Sequence, residues 1–483
     1  SRGRTLGLTF IVVSGAAGIT LYGVSILRAW LSSCCVALGL PQAVALCQAS
    51  AAAALPAAGD RTFGTRIARV VERHGITWKF DRDYVIGTFA NGDPWVVGPV
   101  RIVGIEPQCI ERAGRILNGA MLDPDPSVLA QGYDSALFGE QESHYRPGRN
   151  AALEIARTGA LSVRGPASLV AVASRSETGV LQTLRTAAVL TCLAEVPAPD
   201  AFRPPYVAGD KTVHWRAADL DYRVLGRLPA TPATPSIDGT ARAFEHLWLD
   251  HFPSEVGRCA LPLDNMPGHS RDLAALVGSG ALLLQLDVPN EQKRELYVRL
   301  VQLGIDLHGC VRGGCHWRGA GSHGGGRKLP ILLAGRALGD ARMLAIGREF
   351  DASQQPKQAG AQVFAEDSQT FYVRETSSGV WNGGYGGYTA ANAGLADWGF
   401  AHDSDPRRDD ARWTANPWRS GAPVNGWVGE ALAARLLGLQ AAWNHPAFFD
   451  FMDRYMRLEP APEWRRAWVE WHGVMWDTYR SNS

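Results

Sequence analysis

QLGIDLHGCVRGGCHWRGAGSHGGGRKLPILLAGRAL, residues 302–338, is the stretch from which the rest of the chain is read. It runs from a helix end through a glycine-rich loop to a helix start. His308, Arg312, His316, Arg318, His323, Arg327 and Lys328 fall close together in it, with Trp317 among them. Eight glycines lie from Gly309 to Gly326, so the backbone can turn sharply and expose N–H groups. Pro330 sits in the first turn of the next apolar run, where its missing N–H costs little. A cationic, imidazole-rich loop between two apolar helices suits an anionic or heavily hydroxylated ligand.

Three readings of the loop compete with a plain solvated connection. Gly321 and Gly326 have the separation of a phosphate loop, but Arg327 intervenes before Lys328 and Leu329 stands where Ser or Thr belongs. His308, Cys310, Cys315, His316 and His323 are zinc-type ligands, yet their spacing is unfamiliar and the neighbouring cations oppose a metal. No metal and no cofactor is therefore expected. The third reading, a sugar- or uronate-binding loop, fits the residue types best.

The chain has 483 residues, 46% hydrophobic and 20% charged, which is globular and long enough for two or three domains. A net charge of +1 argues against general nucleic-acid binding, which needs a basic excess. Sixteen Trp supply rings on which sugars can stack, although helical cores use them too.

Arg2 and Arg4 precede the apolar run Leu6–Leu27, and an Ala-rich stretch follows to about residue 58. A basic start, an apolar core and small residues around Ala49-Ser50-Ala51 read as an export signal. The run is also long enough to span a bilayer, so an N-terminal anchor is the rival and the only membrane contact expected. The expected location is secreted or periplasmic. Of eight cysteines, Cys34, Cys35 and Cys47 lie in that region, leaving Cys109, Cys192, Cys259, Cys310 and Cys315. Scattered buried thiols are expected, with a Cys310–Cys315 disulfide as the alternative.

From residue 59 to 228 the texture is β. Ile76–Phe80, Tyr84–Phe89, Trp95–Val103, Leu161–Arg164, Ser168–Ser174, Ala187–Leu193 and Thr212–Trp215 read as short strands between turn signals, as in an antiparallel sandwich. Residues 229–238, rich in Pro, Thr and Ala, read as a linker. From 239 to 483 helical spacing dominates: Ala241–Phe252, Asp272–Leu286, Glu291–His308, Leu329–Leu338, Asp340–Phe350, Val428–Trp443, Pro446–Arg457 and Trp464–Arg480. Helix pairs with the chemistry in the loops at one end predict an α/α toroid, or an incomplete one, with a plain helical bundle as the alternative. The expected fold is thus α+β: a β-sandwich-like domain followed by an α/α-toroid domain.

Other loops add to the inventory. Asp264-Asn265-Met266-Pro267-Gly268-His269-Ser270-Arg271 precedes a buried helix; Asp264 or Ser270 can cap it, while Asn265, His269 and Arg271 can reach the glycine-rich loop. Glu366, Asp367, Gln369, Tyr372, Arg374 and Glu375 bring acidic, amide, aromatic and basic groups into one short segment. Trp381, Tyr385 and Tyr388 stand in a glycine–aromatic loop, and His402 follows.

Two chemistries fit. β-Elimination at a uronate must neutralise the carboxylate, abstract the C5 proton and protonate the leaving oxygen. His323 as base, Arg327 or Arg271 with Asn265 as neutralisers and Tyr385 as acid supply these roles. His269, His316, Trp317, Arg374, Tyr388, Trp381 and His402 would line the substrate. Glycoside hydrolysis needs two carboxylates, for which Glu366, Asp367, Glu375 and Asp264 are candidates. A non-catalytic glycan-binding envelope protein is the reading from a different class. The loops hold more imidazole, guanidinium and tyrosine than isolated carboxylates, which favours elimination.

DNMPGHSRD (264–272), EQKRELYVRLVQLGIDLHG (291–309), GSHGGGRKLPILLAG (321–335) and AEDSQTFYV (365–373) together resemble secreted bacterial α/α-toroid polysaccharide lyases of the alginate and glucuronan type. The resemblance implies a cleft that binds several sugars of an acidic polysaccharide, with a Tyr or His base and acid and an Arg, Asn or Glu neutraliser. His323, Arg327, Asn265 and Tyr385 are the positions carried over. The N-terminal place of the β region and the small number of helix pairs depart from that family. The sequence sets neither the polysaccharide nor an oligomeric state.

Overall fold

The computed structural model describes residues 64–138, 142–177, 182–253, 257, 260–267, 270–319, 323–350, 363–375, 379, 388–398, 424–457 and 465–482. The fold is mixed α+β, the class expected from the sequence.

Strands β1 (Arg66–Arg73) and β2 (Ile76–Thr88) form a hairpin turned by His74 and Gly75, both at positive φ. The break expected between Ile76–Phe80 and Tyr84–Phe89, at Asp81, does not form. β2 runs through it as one 13-residue strand, pairing with β4 (Val100–Glu106) at its start and β3 (Pro94–Val97) at its end. After the small ribbon β5 (Ile110–Arg112) and β6 (Arg115–Leu117) come β7 (Ala120–Leu122), helix α1 (Ala151–Thr158), β8 (Leu161–Val163), β9 (Ala167–Ser174) and β10 (Leu184–Leu193). Eight of these strands make one curled sheet in the order β7-β9-β10-β3-β2-β4-β8, with β1 on β2. Its pairings are antiparallel except β10 with β3.

Strand alternation divides this sheet between two cores. Leu169, Ala171, Ala188 and Leu190 join Trp78, Ile86 and Ile102 on the face that α1 covers. Val170, Val172, Ala187 and Val189 point the other way, into the core built by the helices. Residues 63–483 accordingly form one compact unit. Thr212–Trp215, expected as a strand, is irregular.

The helices are α2 (Ile237–Arg242), α3 (Ser270–Leu283), α4 (Asn290–Arg312), α5 (Lys328–Leu338), α6 (Ala341–Leu344), α7 (Ile346–Glu349), α8 (Ala365–Gln369), α9 (Val428–Leu436), α10 (Gln440–Trp443), α11 (Pro446–Arg457) and α12 (Glu470–Tyr479). A ribbon of β11 (Thr370–Tyr372) and β12 (Ala396–Trp398) lies among them. α3 and α9 run in the same direction: Arg271 lies against Gly426, and one to two turns on, Gly278 lies against Gly429 and Glu430.

The expected helix over Ala241–Phe252 ends at Arg242. Beyond it, Leu247, Trp248, Leu249 and Phe252 are all buried, and side chains rather than a helix satisfy the Asp250 backbone. Its N–H donates to Tyr206 Oη at 3.0 Å, and its carbonyl accepts from Trp317 Nε1 at 3.1 Å. The segment expected as a linker is held by α12: Trp471 Nε1 donates to Thr231 Oγ1 and Tyr479 Oη to the Pro229 carbonyl.

Among the described residues no helix is long and apolar enough to cross a membrane, and the Leu6–Leu27 run lies outside them.

Candidate functional site

The glycine-rich loop joins α4 to α5 and folds back on itself. A Cβ on Gly324 would lie 2.1 Å from the Trp317 carbonyl oxygen and 2.4 Å from that of Arg318, so only glycine fits. Gly326 has φ +87°, and a Cβ there would sit 2.8 Å from Ala274 Cα in the first turns of α3. The loop is therefore pressed onto the start of α3.

Three consecutive residues anchor its end to three acids. The Gly326 N–H donates to Glu366 Oε1 at 2.7 Å. Arg327 donates from Nε and Nη2 to both oxygens of Asp250, and from Nη1 to the Gly325 and His323 carbonyls. Lys328 Nζ bonds Asp367 and, at 2.6 Å, the Trp443 carbonyl. Asp367 also accepts from Trp443 Nε1 at 3.0 Å. All of these side chains are buried. Burial pushes the Asp250 carboxyl up, against the pull of Arg327.

Behind the anchors lie two buried acids, Glu366 on α8 and Glu430 on α9; Glu366 Oε2 and both Glu430 oxygens have no hydrogen-bond partner among the described residues. Both side chains have zero exposure. Burial is the main force raising Glu366 to about 7, with the Asp367 charge adding and Gly326 and Lys328 opposing. Glu430 is driven well above the usual carboxylate range by burial and then by Glu366.

The remaining residues singled out in the sequence are dispersed. His316, Arg318 and His323 are half-buried on the loop itself. Trp317 is fully buried, its indole N–H on the Asp250 carbonyl and its ring against Phe364, so it offers no open face to a sugar. The Arg327 guanidinium is committed to Asp250 and backbone carbonyls instead of facing a ligand. Asn265 is buried and donates to the His246 carbonyl at 3.0 Å, and its Oδ1 has no hydrogen-bond partner. The Arg271 guanidinium carbon lies over the Trp468 ring, 3.5 Å from its centroid. Tyr388 is buried, donating to Asp397 at 2.6 Å. Arg374, Glu375 and Asp264 are exposed. Tyr385, Trp381, His269 and His402 lie outside the described residues.

Cys310 and Cys315 are separate buried thiols, not a disulfide. Among the described residues no group of three or more His, Cys, Asp and Glu is placed to hold a metal ion, so the five zinc-type residues of the loop region do not converge.

A second polar region lies where the sheet meets α4. Arg203 donates to Asp93 and, through both terminal nitrogens, to Asp306. These groups line a pocket with His246, Trp248 and Arg299. His74 stacks on His246 at 3.8 Å and is lowered to about 3, mainly by burial and then by Arg73. Its charges satisfy one another, so it ties the sheet to the helices.

The sequence reading passed over Glu430, Asp250 and Trp468. The first two had a signal: each is a lone acid in an apolar run, VGEALAA and LWLDHF. Such an acid needs a buried partner or a proton. Trp468, at 36% exposure, is the one large aromatic among the exposed hydrophobic side chains of the described residues.

No family model, no curated protein and no solved structure matches this chain.

Proposed function

We propose that this is an exported enzyme that cleaves an acidic, uronate-containing polysaccharide by β-elimination at the glycine-rich loop. The observation that carries the reading is the loop's construction. Half-buried His316, Arg318 and His323 stand on a backbone whose end is fixed at Gly326, Arg327 and Lys328 by buried acids. Elimination needs a base and a carboxylate neutraliser held still with respect to each other, and such anchoring supplies that.

In this reading His323 is the base that takes the C5 proton. Arg271 and Arg318 neutralise the uronate carboxylate, and Tyr385 protonates the leaving oxygen. Arg327 and Asn265 move from substrate contacts to positioning residues. Trp468, with Arg271 on its ring, offers a platform for a neighbouring sugar. Arg271 lies one turn before Ala274, which touches Gly326, so platform and loop share one end of α3. The helices would be inner and outer members of an incomplete α/α toroid, for which the common direction of α3 and α9 speaks, beside a sandwich-like β region.

Hydrolysis by paired acids has less support. Its two carboxylates stand about 5–10 Å apart across the scissile bond. Glu366 and Glu430 are instead fully buried, where a glycosidic bond cannot enter.

The test is incubation of the full chain with alginate, polyglucuronate, pectate and glycosaminoglycans while near-ultraviolet absorbance is followed. Elimination leaves an unsaturated uronate that absorbs there, and the rise should vanish in His323→Ala. New reducing ends without absorbance would replace elimination by hydrolysis. Retained oligosaccharide with no new ends would leave a glycan-binding protein.

A further inference from the structure

α4 ends in a cap that brings two cysteines together. Gly314 stands just past the helix at φ +101°, a conformation that glycine adopts without strain. Its N–H donates to the Val311 carbonyl at 3.1 Å, and the N–H of the next residue, Cys315, donates to the Cys310 carbonyl at 3.0 Å. These two bonds make a Schellman motif, in which the residue in the place of Cys315 commonly packs on the one in the place of Cys310. With standard bond lengths, the second bond holds the two α-carbons within about 6.5 Å of each other, inside the ~4.4–6.8 Å that a disulfide spans.

The two side chains also turn toward one residue. The Cys315 thiol donates to the Asp250 carbonyl at 3.8 Å. The Cys310 thiol donates to Tyr206 Oη at 3.7 Å, and that oxygen accepts the Asp250 N–H at 3.0 Å. Both thiols are buried, and both are reduced in this structure. His316, Arg318 and His323 of the glycine-rich loop follow directly. The far end of that loop is fixed by buried acids at Gly326, Arg327 and Lys328. Its near end, Gly313 to Cys315, is tied by the cap bonds to the last turn of α4.

We propose that Cys310 and Cys315 are a redox pair, and that oxidation joins them in a disulfide across the α4 cap, stapling the near end of the glycine-rich loop to the helix. The oxidant is a low-molecular-weight disulfide such as oxidised glutathione. The thiolate of one cysteine attacks it, displaces one thiolate and leaves a mixed disulfide. The sulfur of the other cysteine then attacks the protein sulfur of that bond and displaces the second thiolate. Two electrons and two protons leave the cysteines, and the oxidant departs as two thiols. Burial pushes both thiols well above their ordinary range, so neither is a ready nucleophile in the closed fold. The bond therefore forms while the chain folds in an oxidising medium, and only slowly once the cap is packed. The inference does not rest on the elimination reading, because its readouts need no substrate.

The test refolds the full chain in a buffer of reduced and oxidised glutathione, traps free thiols by alkylation, and digests the denatured chain with trypsin for mass spectrometry. Cleavage after Arg299, Arg312 and Arg318 gives peptides 300–312 and 313–318, which carry Cys310 and Cys315. They should appear as one linked species, lighter by two hydrogen atoms than the free pair, and separate on reduction. Recovery of both peptides alkylated, or each joined to glutathione or to another cysteine of the chain, would overturn the redox pair. The second readout is limited trypsin cleavage of the folded chain after Arg312, which is exposed and lies within the ring that the disulfide closes. Oxidation should slow this cut several-fold in the wild type, and reduction should restore the faster rate. Cys315→Ser should show no such difference, and Cys310→Ala serves if that variant fails to fold. A linked pair whose cleavage at Arg312 is as fast as in the reduced chain would overturn the staple.

Discussion

Arg327 grips Asp250 twice, Nε to Oδ2 at 2.6 Å and Nη2 to Oδ1 at 3.2 Å, with both side chains almost wholly buried. The pair joins the loop to the irregular segment that precedes α3. Arg327→Met should leave Asp250 charged and dry, and breaking a buried pair in this way costs about 3–5 kcal/mol. Urea unfolding would measure it. Arg327→Met combined with Asp250→Asn should recover part of the loss, because no bare charge then remains. A single-variant cost below about 1 kcal/mol, the range of exposed pairs, would refute the assignment.

Lys328 and Asp367 make the second anchor, and here aromatic faces share the work. Lys328 Nζ lies 5.3 Å from the Phe364 ring centroid and 5.1 Å from that of Trp443. Lys328→Met should destabilise the fold by about 3–5 kcal/mol, and Asp367→Asn should cost less, since the asparagine oxygen can still accept from Trp443 Nε1. A double-mutant cycle should return a coupling between Lys328 and Asp367 of about 1 kcal/mol or more. Additive single effects would mean that the two side chains do not act as a pair.

These anchors show where sequence reading succeeds and where it stops. The apolar spacing of Leu329–Leu338 and Pro446–Arg457 gives α5 and α11 almost to the residue, because a helix that buries one face must repeat it locally. Ala241–Phe252 carries similar spacing, yet only its first two residues are helical. The side chains that satisfy the Asp250 backbone come from Tyr206 and Trp317, which local spacing cannot reveal. The short strands were legible, but their union into one sheet depends on long-range pairings such as β10 with β3. The loop's chemistry was legible as a set of residue types. Which of them face a ligand was not: Arg327 and Trp317 are polar or aromatic because Asp250, 77 and 67 residues away, requires them.

Gly429 tests the packing beside Glu430. A Cβ there would lie 2.5 Å from His472 Nδ1. The ring cannot retreat cheaply, since it is fully buried and its Nε2 is 2.7 Å from Ser279 Oγ. Gly429→Ala should therefore destabilise by about 1–3 kcal/mol through overpacking, read as a lowered midpoint of thermal unfolding. Gly429→Ala with His472→Ala should unfold at a higher temperature than His472→Ala alone, because the new methyl then fills space the ring has left. A Gly429→Ala protein as stable as the wild type would place the two helices farther apart than described.

Stability against pH should show two limbs of different origin. His251 and His472 are held neutral, burial taking each from 6.5 to about 3. Below 6.5 the unfolded chain binds protons that the folded one refuses, so their stabilisation is present above 6.5 and is lost as pH falls toward 3. Glu366 works in the opposite sense. Its folded value of about 7 exceeds its ordinary 4.5, so its contribution is full below 4.5 and is lost as pH rises through 7. Each proton bound differently changes stability by about 1.4 kcal/mol per pH unit. Between 4.5 and 6.5 the two effects oppose each other; above 6.5 the histidines fall silent and Glu366 alone of these three groups lowers stability. Urea unfolding at closely spaced pH should therefore give a maximum near 6.5 with a descending alkaline limb. His472→Gln, whose amide can keep the Ser279 contact, should make the acid limb shallower without removing it, since His251, His74 and His308 are lowered in the same way, and should leave the alkaline one unchanged. Glu366→Gln should do the reverse. An alkaline limb that survives in Glu366→Gln would assign it to other groups.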